Sequence, residues 1–373
     1  MTFQQLDIIA PILKAIDDQG YQTPSPIQTE AMPIILAGHD LLASAQTGTG
    51  KTAAFAIPII QMIHANKVEG DARKIKSLVL APIRELAEQI KDSFRTYAGK
   101  LDIKTGAIYG GASQRGQEVM LKKGIDILVA TPGRLIDLMK QKIVSLSDVH
   151  YFVLDEADTM LDMGFIKDVK HIKGFIAKTR QTLMFSATIS PEVIKLAGDL
   201  LVAPQILEMA PPEKMIDKIN HSLFYVEKKQ KFELLLDLLV DPKLESVLVF
   251  TRTKHGANRL VRDLVEYGVK VDAIHGNKSQ SARQNALNDF KSKKNRVLVA
   301  TDIAARGIDI DDLSHVINYD LPESAETYVH RIGRTGRRGL SGEAYTFCSQ
   351  AERALLKAVE KHTGLKLTVL DLK

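Results

Sequence analysis

Short apolar runs alternate with helically spaced segments along most of the chain. Four β-rich runs stand out in the first half: Ser77–Ala81, Asp126–Thr131, Tyr151–Leu154 and Gln181–Phe185. Continuous apolar runs of this length suit strands that are covered on both faces. Between them lie helical patterns such as Arg84–Tyr97 and Ile136–Lys140. At the N-terminus, Leu6, Ile9, Leu13 and Ile16 share one helical face, and Gly20 ends the pattern, so a helix is expected over Leu6–Gln19. This alternation predicts an α/β fold with parallel sheets and crossover helices.

The second half repeats the plan. Ser246–Thr251 resembles Ser77–Ala81, and Arg296–Thr301 resembles Asp126–Thr131, with the same Val-Ala-Thr ending. His315–Asp320 corresponds to Tyr151–Asp155, and Glu343–Phe347 to Gln181–Phe185. Leu78 to Ile127 spans 49 positions and Val247 to Val297 spans 50. Two similar α/β domains are therefore expected, over 1–208 and 217–373. The stretch Val202–Lys214 contains Pro204, Pro211 and Pro212, which places the linker at 209–216. A helix is expected near the end, over Ser349–His362.

Composition changes this picture little. The chain has 373 residues, 45% hydrophobic and 25% charged, ordinary values for a globular protein. Residues 1–208 carry 23 basic and 23 acidic side chains, whereas 209–373 carry 27 and 22, so the whole +5 excess lies in the second half. That distribution fits a polyanion partner there. No apolar run has the length of a membrane span, and the N-terminus lacks the basic start of a signal peptide. The single cysteine, Cys348, has no partner for an internal disulfide, which points to a reducing, cytoplasmic setting.

The chemistry centres on Asp40–Thr52, DLLASAQTGTGKT. An apolar run leads into a Gly-rich turn and then a helix-compatible segment, the layout of a phosphate-binding loop. Ala45, Gln46, Thr47, Gly48, Thr49 and Gly50 would cradle phosphates through backbone N–H groups. Lys51 would reach the β- and γ-phosphates, and the Thr52 hydroxyl would ligate Mg²⁺. Ala45 stands where the strict pattern begins with Gly. Upstream, Thr23-Pro24-Ser25-Pro26 stiffens the chain and starts a helix, holding Gln28 in a fixed position. Its amide offers a donor and an acceptor that suit adenine N7 and N6. Asp155-Glu156-Ala157-Asp158 follows an apolar run, where parallel strands place their C-terminal ends. Asp155 is placed to hold the Mg²⁺ shell, and Glu156 to take a proton from the attacking water.

AQTGTGKT, DEAD, Ser186-Ala187-Thr188 and His330–Arg337 (HRIGRTGR) occur in the order seen in the DEAD-box ATP-dependent RNA helicases. The resemblance runs from residue 3 to about 347, and it implies two tandem RecA-like domains. Met160–Phe165 and His275–Gln280, with a short C-terminus, resemble the bacterial RhlE-type branch. By this resemblance Phe3 stacks on adenine, with Tyr21 beside it, and Gln28 selects ATP. Arg334 and Arg337 reach the γ-phosphate, where a permanently charged planar fork can neutralise the transferred phosphoryl group. Asp309 contacts the ribose, and His330 links the arginine segment to the DEAD carboxylates. Ser186, Thr188 and Asp158 couple hydrolysis to domain closure. RNA contacts fall at Pro82, Arg84, Gly111, Thr131 and Arg134 in the first half, and at Thr251, Arg252, Gly276 and Thr301 in the second. Gly, Thr and Arg suit backbone contacts without base reading. Ile83 departs from the threonine usual in the family.

The activity implied is RNA-dependent ATP hydrolysis in a cleft between two domains, coupled to local, poorly processive unwinding or remodelling. Expected partners are single-stranded RNA and short RNA duplexes, with ribosomal or mRNA-decay particles as candidate settings and a monomer as the expected state. Two other classes stay open: an ATP-gated RNA clamp or annealer, and a DNA-directed translocase with similar loops.

Overall fold

The computed structural model describes residues 2–45, 48–68, 70, 72–209, 219–305, 313–336 and 342–370. The chain divides into two compact units, Met1–Pro211 and Pro212–Lys373. Residues 210–218, which include most of the expected linker, lie outside the described residues.

Unit 1 contains β1 (Leu41–Ser44), β2 (Ser77–Leu80), β3 (Thr105–Ile108), β4 (Ile127–Ala130), β5 (Tyr151–Leu154), β6 (Gln181–Ser186) and β7 (Gln205–Glu208). They form one parallel sheet in the order β3-β4-β2-β5-β6-β1-β7. Unit 2 contains β8 (Ile219–Tyr225), β9 (Val247–Phe250), β10 (Val271–Ile274), β11 (Val297–Ala300), β12 (His315–Asn318), β13 (Gly342–Cys348) and β14 (Thr368–Val369). Its order is β10-β11-β9-β12-β13-β8-β14, again parallel. The two orders are the same topology, strand for strand. Each expected pair of matching runs occupies the same place in the two sheets: β2 with β9, β4 with β11, β5 with β12, and β6 with β13.

Burial explains why these runs were legible. Strands β1, β2, β4, β9 and β11 are buried at every position, because helices cover both faces of a parallel sheet. Alternate residues then serve opposite cores. In unit 2, Val247, Val249, Val297 and Val299 join one cluster, while Leu223, Ala344 and Cys348 join another with Tyr328 and Leu356. Burial pushes the Cys348 thiol up to about 11, so it packs as a small apolar group. In unit 1, Phe55 sits between Phe94 and Phe185, with ring centroids 6.0 and 5.2 Å away. It ties helix Lys51–Ala65 to helix Arg84–Ala98 and to β6.

Several elements differ from expectation for local reasons. The first helix is a 3-10 turn, Phe3–Leu6, followed by helix Ala10–Asp17. Pro11 lacks an N–H and fits only a helix's first turn, so the helix restarts there. A helix covers Pro132–Lys140, four residues earlier than the pattern at Ile136 suggested, again started by a proline. The C-terminal helix is Arg353–Thr363, preceded by a 3-10 turn at Gln350–Glu352 with Ser349 as its cap. Strands β3, β7, β8, β10 and β14 went unpredicted: β3 contains Gly106, β7 and β14 are edge strands with mostly exposed side chains, and β8 and β10 carry polar residues within the run.

Replacing Phe55 with alanine removes a wholly buried ring at the junction of three elements. Such truncations cost about 3–5 kcal/mol, so Phe55→Ala should lower the unfolding free energy of unit 1 by that amount, seen as a lower urea midpoint. An unchanged midpoint would show that the junction is not a stability centre.

Candidate active site

In a parallel sheet every strand ends on the same side, so loops that follow the strands collect along one edge. The expected site residues sort along that edge. The phosphate loop follows β1, Asp155–Asp158 follow β5, and Ser186–Thr188 close β6; these three strands are contiguous in the order β5-β6-β1. The segments at Pro82–Ala87, Gly110-Gly111 and Thr131–Arg134 follow β2, β3 and β4, which form the other run, β3-β4-β2. Unit 2 is sorted in the same way. Thr251–Thr253, His275-Gly276 and Thr301-Asp302 follow β9, β10 and β11, and the arginine segment comes after β12.

The phosphate loop turns through Gly48 and Gly50, at φ 84° and 92°. Gly50 caps helix Lys51–Ala65. Ala45, in place of the usual glycine, has no left-handed backbone and donates its N–H to the Ser186 carbonyl at 3.0 Å. The side chain is therefore tolerated without strain. Lys51 is buried and donates from Nζ to the Ala45 carbonyl at 2.8 Å, and Thr52 is half-buried on the first turn of the helix. Thr49 completes the described part of the loop; Gln46 and Thr47 lie outside the described residues.

Gln28 is fixed at both ends of its amide. Its Oε1 accepts from the Ser25 N–H at 3.0 Å, and its Nε2 donates to the Gly50 carbonyl at 3.2 Å. A glutamine amide has two donor hydrogens and two acceptor lone pairs, so one of each is left for a base edge. Phe3 is 5% exposed, with most of its ring already covered, while Tyr21 is 54% exposed and presents the freer ring. Burial and an interaction with Tyr21 push the Tyr97 hydroxyl up.

Asp155 is wholly buried, and burial pushes its carboxyl up although Lys51 opposes the shift. Its Oδ1 accepts from the Glu156 N–H at 3.0 Å. Glu156 has φ 53° and ψ 55°, a left-handed conformation that is costly for a side-chain residue. Asp158 Oδ2 accepts from the Ala187 N–H at 3.0 Å, and Ser44 Oγ donates to the Ala187 carbonyl at 3.2 Å. The Thr188 N–H points to Ser186 Oγ at 3.4 Å. The phosphate loop, the acidic cluster and the Ser-Ala-Thr segment are thus joined by hydrogen bonds.

Among the other loops of unit 1, Arg84 lies against Gly111. A Cβ on Gly111 would fall 2.3 Å from Arg84 Nη1 and push the guanidinium aside, and its φ of 80° favours glycine. Arg134 Nη1 donates to Gln117 Oε1 at 3.3 Å, and Gln117 Nε2 donates to the Tyr109 carbonyl at 3.0 Å. Thr131 caps helix Pro132–Lys140 in an extended conformation, and Pro82 is buried. Ile83 is the cap residue of helix Arg84–Ala98 and makes no side-chain capping bond. Thr253 holds the matching place in unit 2, and its Oγ1 accepts from the Gly256 N–H at 3.0 Å. The departure at Ile83 therefore removes a helix cap, as well as the hydroxyl expected toward RNA.

In unit 2, Thr251 is 1% exposed and its hydroxyl donates to the Thr253 carbonyl at 3.4 Å. It shapes the loop, and the side chain left open is Arg252. Gly276 is exposed and Thr301 half-buried. His275 Nε2 pairs with Asn258 Oδ1 at 2.8 Å, and burial holds its pKa down, helped by Lys278, Arg283, Lys254 and His255. His330 and Arg334 line a shallow open recess with Asp302, Thr327 and Arg331. Arg331 went unpredicted and is nearly fully buried. Its Nε and Nη2 meet the Asp302 carboxylate at 2.5 and 2.8 Å, and Nη1 donates to Asn318 Oδ1 at 3.1 Å. Its guanidinium also lies 4.8 Å from the Phe250 ring centroid. The only sequence signal was its position beside the core residues Tyr328 and Ile332. Asp309 and Arg337 lie outside the described residues.

Residues 25–196 match the DEAD/DEAH box helicase family, and residues 230–339 match the helicase conserved C-terminal domain. The RNA helicase CrhR of Synechocystis is 42% identical over 99% of this chain and 74% of its own. The chain belongs to the DEAD-box RNA helicase family. A DEAD-box ATP-dependent RNA helicase CshA of Bacillus subtilis is 39% identical over 98% of this helicase and 73% of its own length. Among solved structures, S. cerevisiae Dbp5 bound to RNA and ADP BeF3 is 32% identical, with TM-score 0.89 over 99% of this chain and 95% of that one. Mss116 bound to ssRNA and UDP-BeF is 28% identical, with TM-score 0.89 over 100% of this chain and 81% of that one. These relatives do not separate the RhlE-type branch from its neighbours.

Gly50 meets two constraints at once. A Cβ there would lie 2.3 Å from Gln28 Nε2, and its φ is 92°. Gly38 has a similar φ, 82°, but open space around a Cβ. Gly50→Ala should weaken binding of a fluorescent ATP analogue about tenfold or more, the effect of losing roughly 1.4 kcal/mol, while Gly38→Ala leaves it unchanged. Equal affinities for the two variants would remove the Gln28–Gly50 link from the nucleotide site.

Proposed function

We propose that this ATP-dependent RNA helicase hydrolyses ATP with Glu156 as the base that takes a proton from the attacking water, and with Lys51, Arg334 and Arg337 stabilising the transferred phosphoryl group. The observation that carries this reading is the hydrogen-bonded joining of the acidic cluster to the phosphate loop and to Ser186–Thr188, at the ends of β5, β1 and β6. The left-handed backbone at Glu156 supports it, because strain of this kind is retained where the surrounding structure needs a carboxylate aimed one way. His330 stands between the arginine segment and the DEAD carboxylates in this scheme. Ser186, Thr188 and Asp158 pass the state of the nucleotide onward.

Magnesium fits the residues present. Asp155 is a buried carboxylate held above its ordinary pKa by desolvation, so a cation beside it would relieve that cost. Oxygen donors in small number suit an ion that keeps several waters. Thr52 and Asp155 would hold it, and when bound it would draw charge from the phosphate oxygens. Among the described residues no group of three or more His, Cys, Asp or Glu side chains is placed to hold a metal.

RNA is read here as a backbone ligand, held by Arg84, Gly111, Thr131, Arg134, Arg252, Gly276 and Thr301, with Pro82 and Thr251 shaping the loops. In this scheme both ligands draw on groups from both units. Linkage then requires RNA to tighten ATP binding by the factor by which ATP tightens RNA. This gives local strand separation of a few base pairs per ATP. We place the protein in the cytoplasm as a monomer acting on ribosomal or mRNA-decay particles. Among the described residues no helix is long and apolar enough to cross a membrane.

Steady-state ATPase without nucleic acid, with single-stranded RNA and with single-stranded DNA should show stimulation by RNA alone. Glu156→Gln should lower that rate by about 10²–10⁴-fold, the usual contribution of a general base, and retain ATP-dependent RNA binding. Equal stimulation by DNA would redirect the substrate class, and absence of turnover with retained RNA binding would make the protein a clamp. Duplex length gives a second check. Unwinding should fall steeply as the duplex is lengthened, and long duplexes separated as readily as short ones would exclude local unwinding.

A further inference from the structure

One charged cluster in unit 2 lies outside every residue assigned above to ATP or RNA. Lys231, on the first turn of helix Lys231–Val240, is 2% exposed. Its ammonium donates to Glu352 Oε2 and to the Tyr319 carbonyl, both at 2.7 Å, and lies 3.8 Å from Asp320 Oδ1. Glu352 is 7% exposed and comes from the 3-10 turn before the C-terminal helix. Its carboxylate also accepts from Ser349 Oγ at 2.6 Å, the Ser349 N–H at 3.0 Å and the Leu321 N–H at 3.2 Å. Burial pushes the Glu352 carboxyl up, but the bonds from Lys231 and Ser349 outweigh it and hold it below the usual range.

These contacts converge on Tyr319–Leu321, the turn that leaves β12. The same turn holds Arg252. The Arg252 N–H donates to Asp320 Oδ2 at 2.9 Å, and its Nη2 donates to the Leu321 carbonyl at 3.3 Å, 3.6 Å from Glu352 Oε1. The Arg252 side chain remains 42% exposed. From the other side, Arg331 Nη1 donates to the Asp320 carbonyl at 2.6 Å. The turn is therefore shared by an arginine read as an RNA contact and by the buried arginine that anchors the His330–Arg334 segment.

A buried ion pair contributes little net stability against well-packed apolar residues, because desolvation offsets attraction. It does impose direction, since its hydrogen bonds are satisfied in one geometry only. We propose that Lys231 and Glu352 are positioning residues for RNA: they hold the Tyr319–Leu321 turn so that Arg252 meets an RNA phosphate. The proposal rests on reading Arg252 as an RNA contact, and the C-terminal segment, through Glu352, becomes part of the RNA-facing surface without touching RNA.

The test uses the full chain and a uridine homopolymer as the RNA probe. Lys231→Met/Glu352→Gln removes both charges and leaves an amide carbonyl to accept from Leu321. The double variant should raise the RNA concentration that half-stimulates ATPase about three- to tenfold, the effect of losing one ordinary net hydrogen bond through misaligned geometry. It should also flatten the plot of log RNA affinity against log salt by about 0.7, the loss of one phosphate contact on a single strand. RNA-free turnover and the half-saturating ATP concentration should stay as in the wild type. Arg252→Ala supplies the reference slope. If Arg252→Ala keeps the wild-type slope, the reading of Arg252 fails and takes the proposal with it. If Arg252→Ala flattens the slope and the double variant does not, the positioning role alone is overturned. A fall in RNA-free turnover of the double variant would show a merely structural pair and also overturn it. Glu352→Gln alone gives the same comparison where the double variant does not fold.

Discussion

Strands buried on both faces of a parallel sheet admit few polar side chains, so most polar chemistry gathers where the strands end. That constraint orders both units. The sheet cores are filled by Val, Leu, Ile and Ala, and the polar segments collect at the C-terminal edge. Because the strand order is β3-β4-β2-β5-β6-β1-β7, the edge divides without interleaving. Phosphate and acid segments fall on β5, β6 and β1; segments rich in Gly, Thr and Arg fall on β3, β4 and β2. One continuous sheet lies under both, so neither half can shift without moving strands that the other half shares.

The nucleotide half is tied together mainly through backbone atoms. Gln28 reaches the Gly50 carbonyl, Lys51 the Ala45 carbonyl, the Ala45 N–H the Ser186 carbonyl, and the Ala187 N–H the Asp158 carboxylate. Each bond is worth only about 0.5–1.5 kcal/mol net, yet a buried partner left unmade costs more. The geometry is therefore specified more strongly than the sum of the bonds suggests. Lys51 and Asp155 are both buried, and Lys51 is the principal charge opposing the desolvation of Asp155. In the proposed site a polyanionic nucleotide would enter a place where one positive and one negative group already oppose each other.

The duplicated topology shows which features belong to the fold and which to chemistry. Both units share strand order and register, and both begin the helix after their matching second strands, β2 and β9, at the same step. The caps differ: Thr253 closes its helix with a hydroxyl, while Ile83 leaves that place apolar and buried. Unit 2 has no Gly-Lys-Thr, and spends its buried polar groups on Arg331, Lys231 and Glu352 instead. These groups brace the turn after β12 and the arginine helix, where unit 1 carries the acidic cluster on the corresponding strand.

The amino-acid sequence alone determined the α/β class and the internal duplication, and it supplied most of the residues of the proposed site. Fully apolar strands such as β4, β9 and β11 declare themselves because burial on both faces leaves no polar position to blur the pattern. Local chemistry was equally legible in Gly50, Lys51 and the Asp155–Asp158 cluster, since phosphate and acid segments are contiguous in the chain. Tertiary structure decided the rest, because the partners lie far apart in sequence. Gln28 meets Gly50 across 22 positions, Arg331 meets Asp302 across 29, and Lys231 meets Glu352 across 121. Nothing in the spacing of a lysine or a glutamate tells whether it will face water or a buried partner. Thr251, an expected RNA contact, is buried, while Phe3, expected to stack on adenine, is mostly covered. Exposure is a property of the packed chain, and only the packing of helices against the sheet edge could assign it.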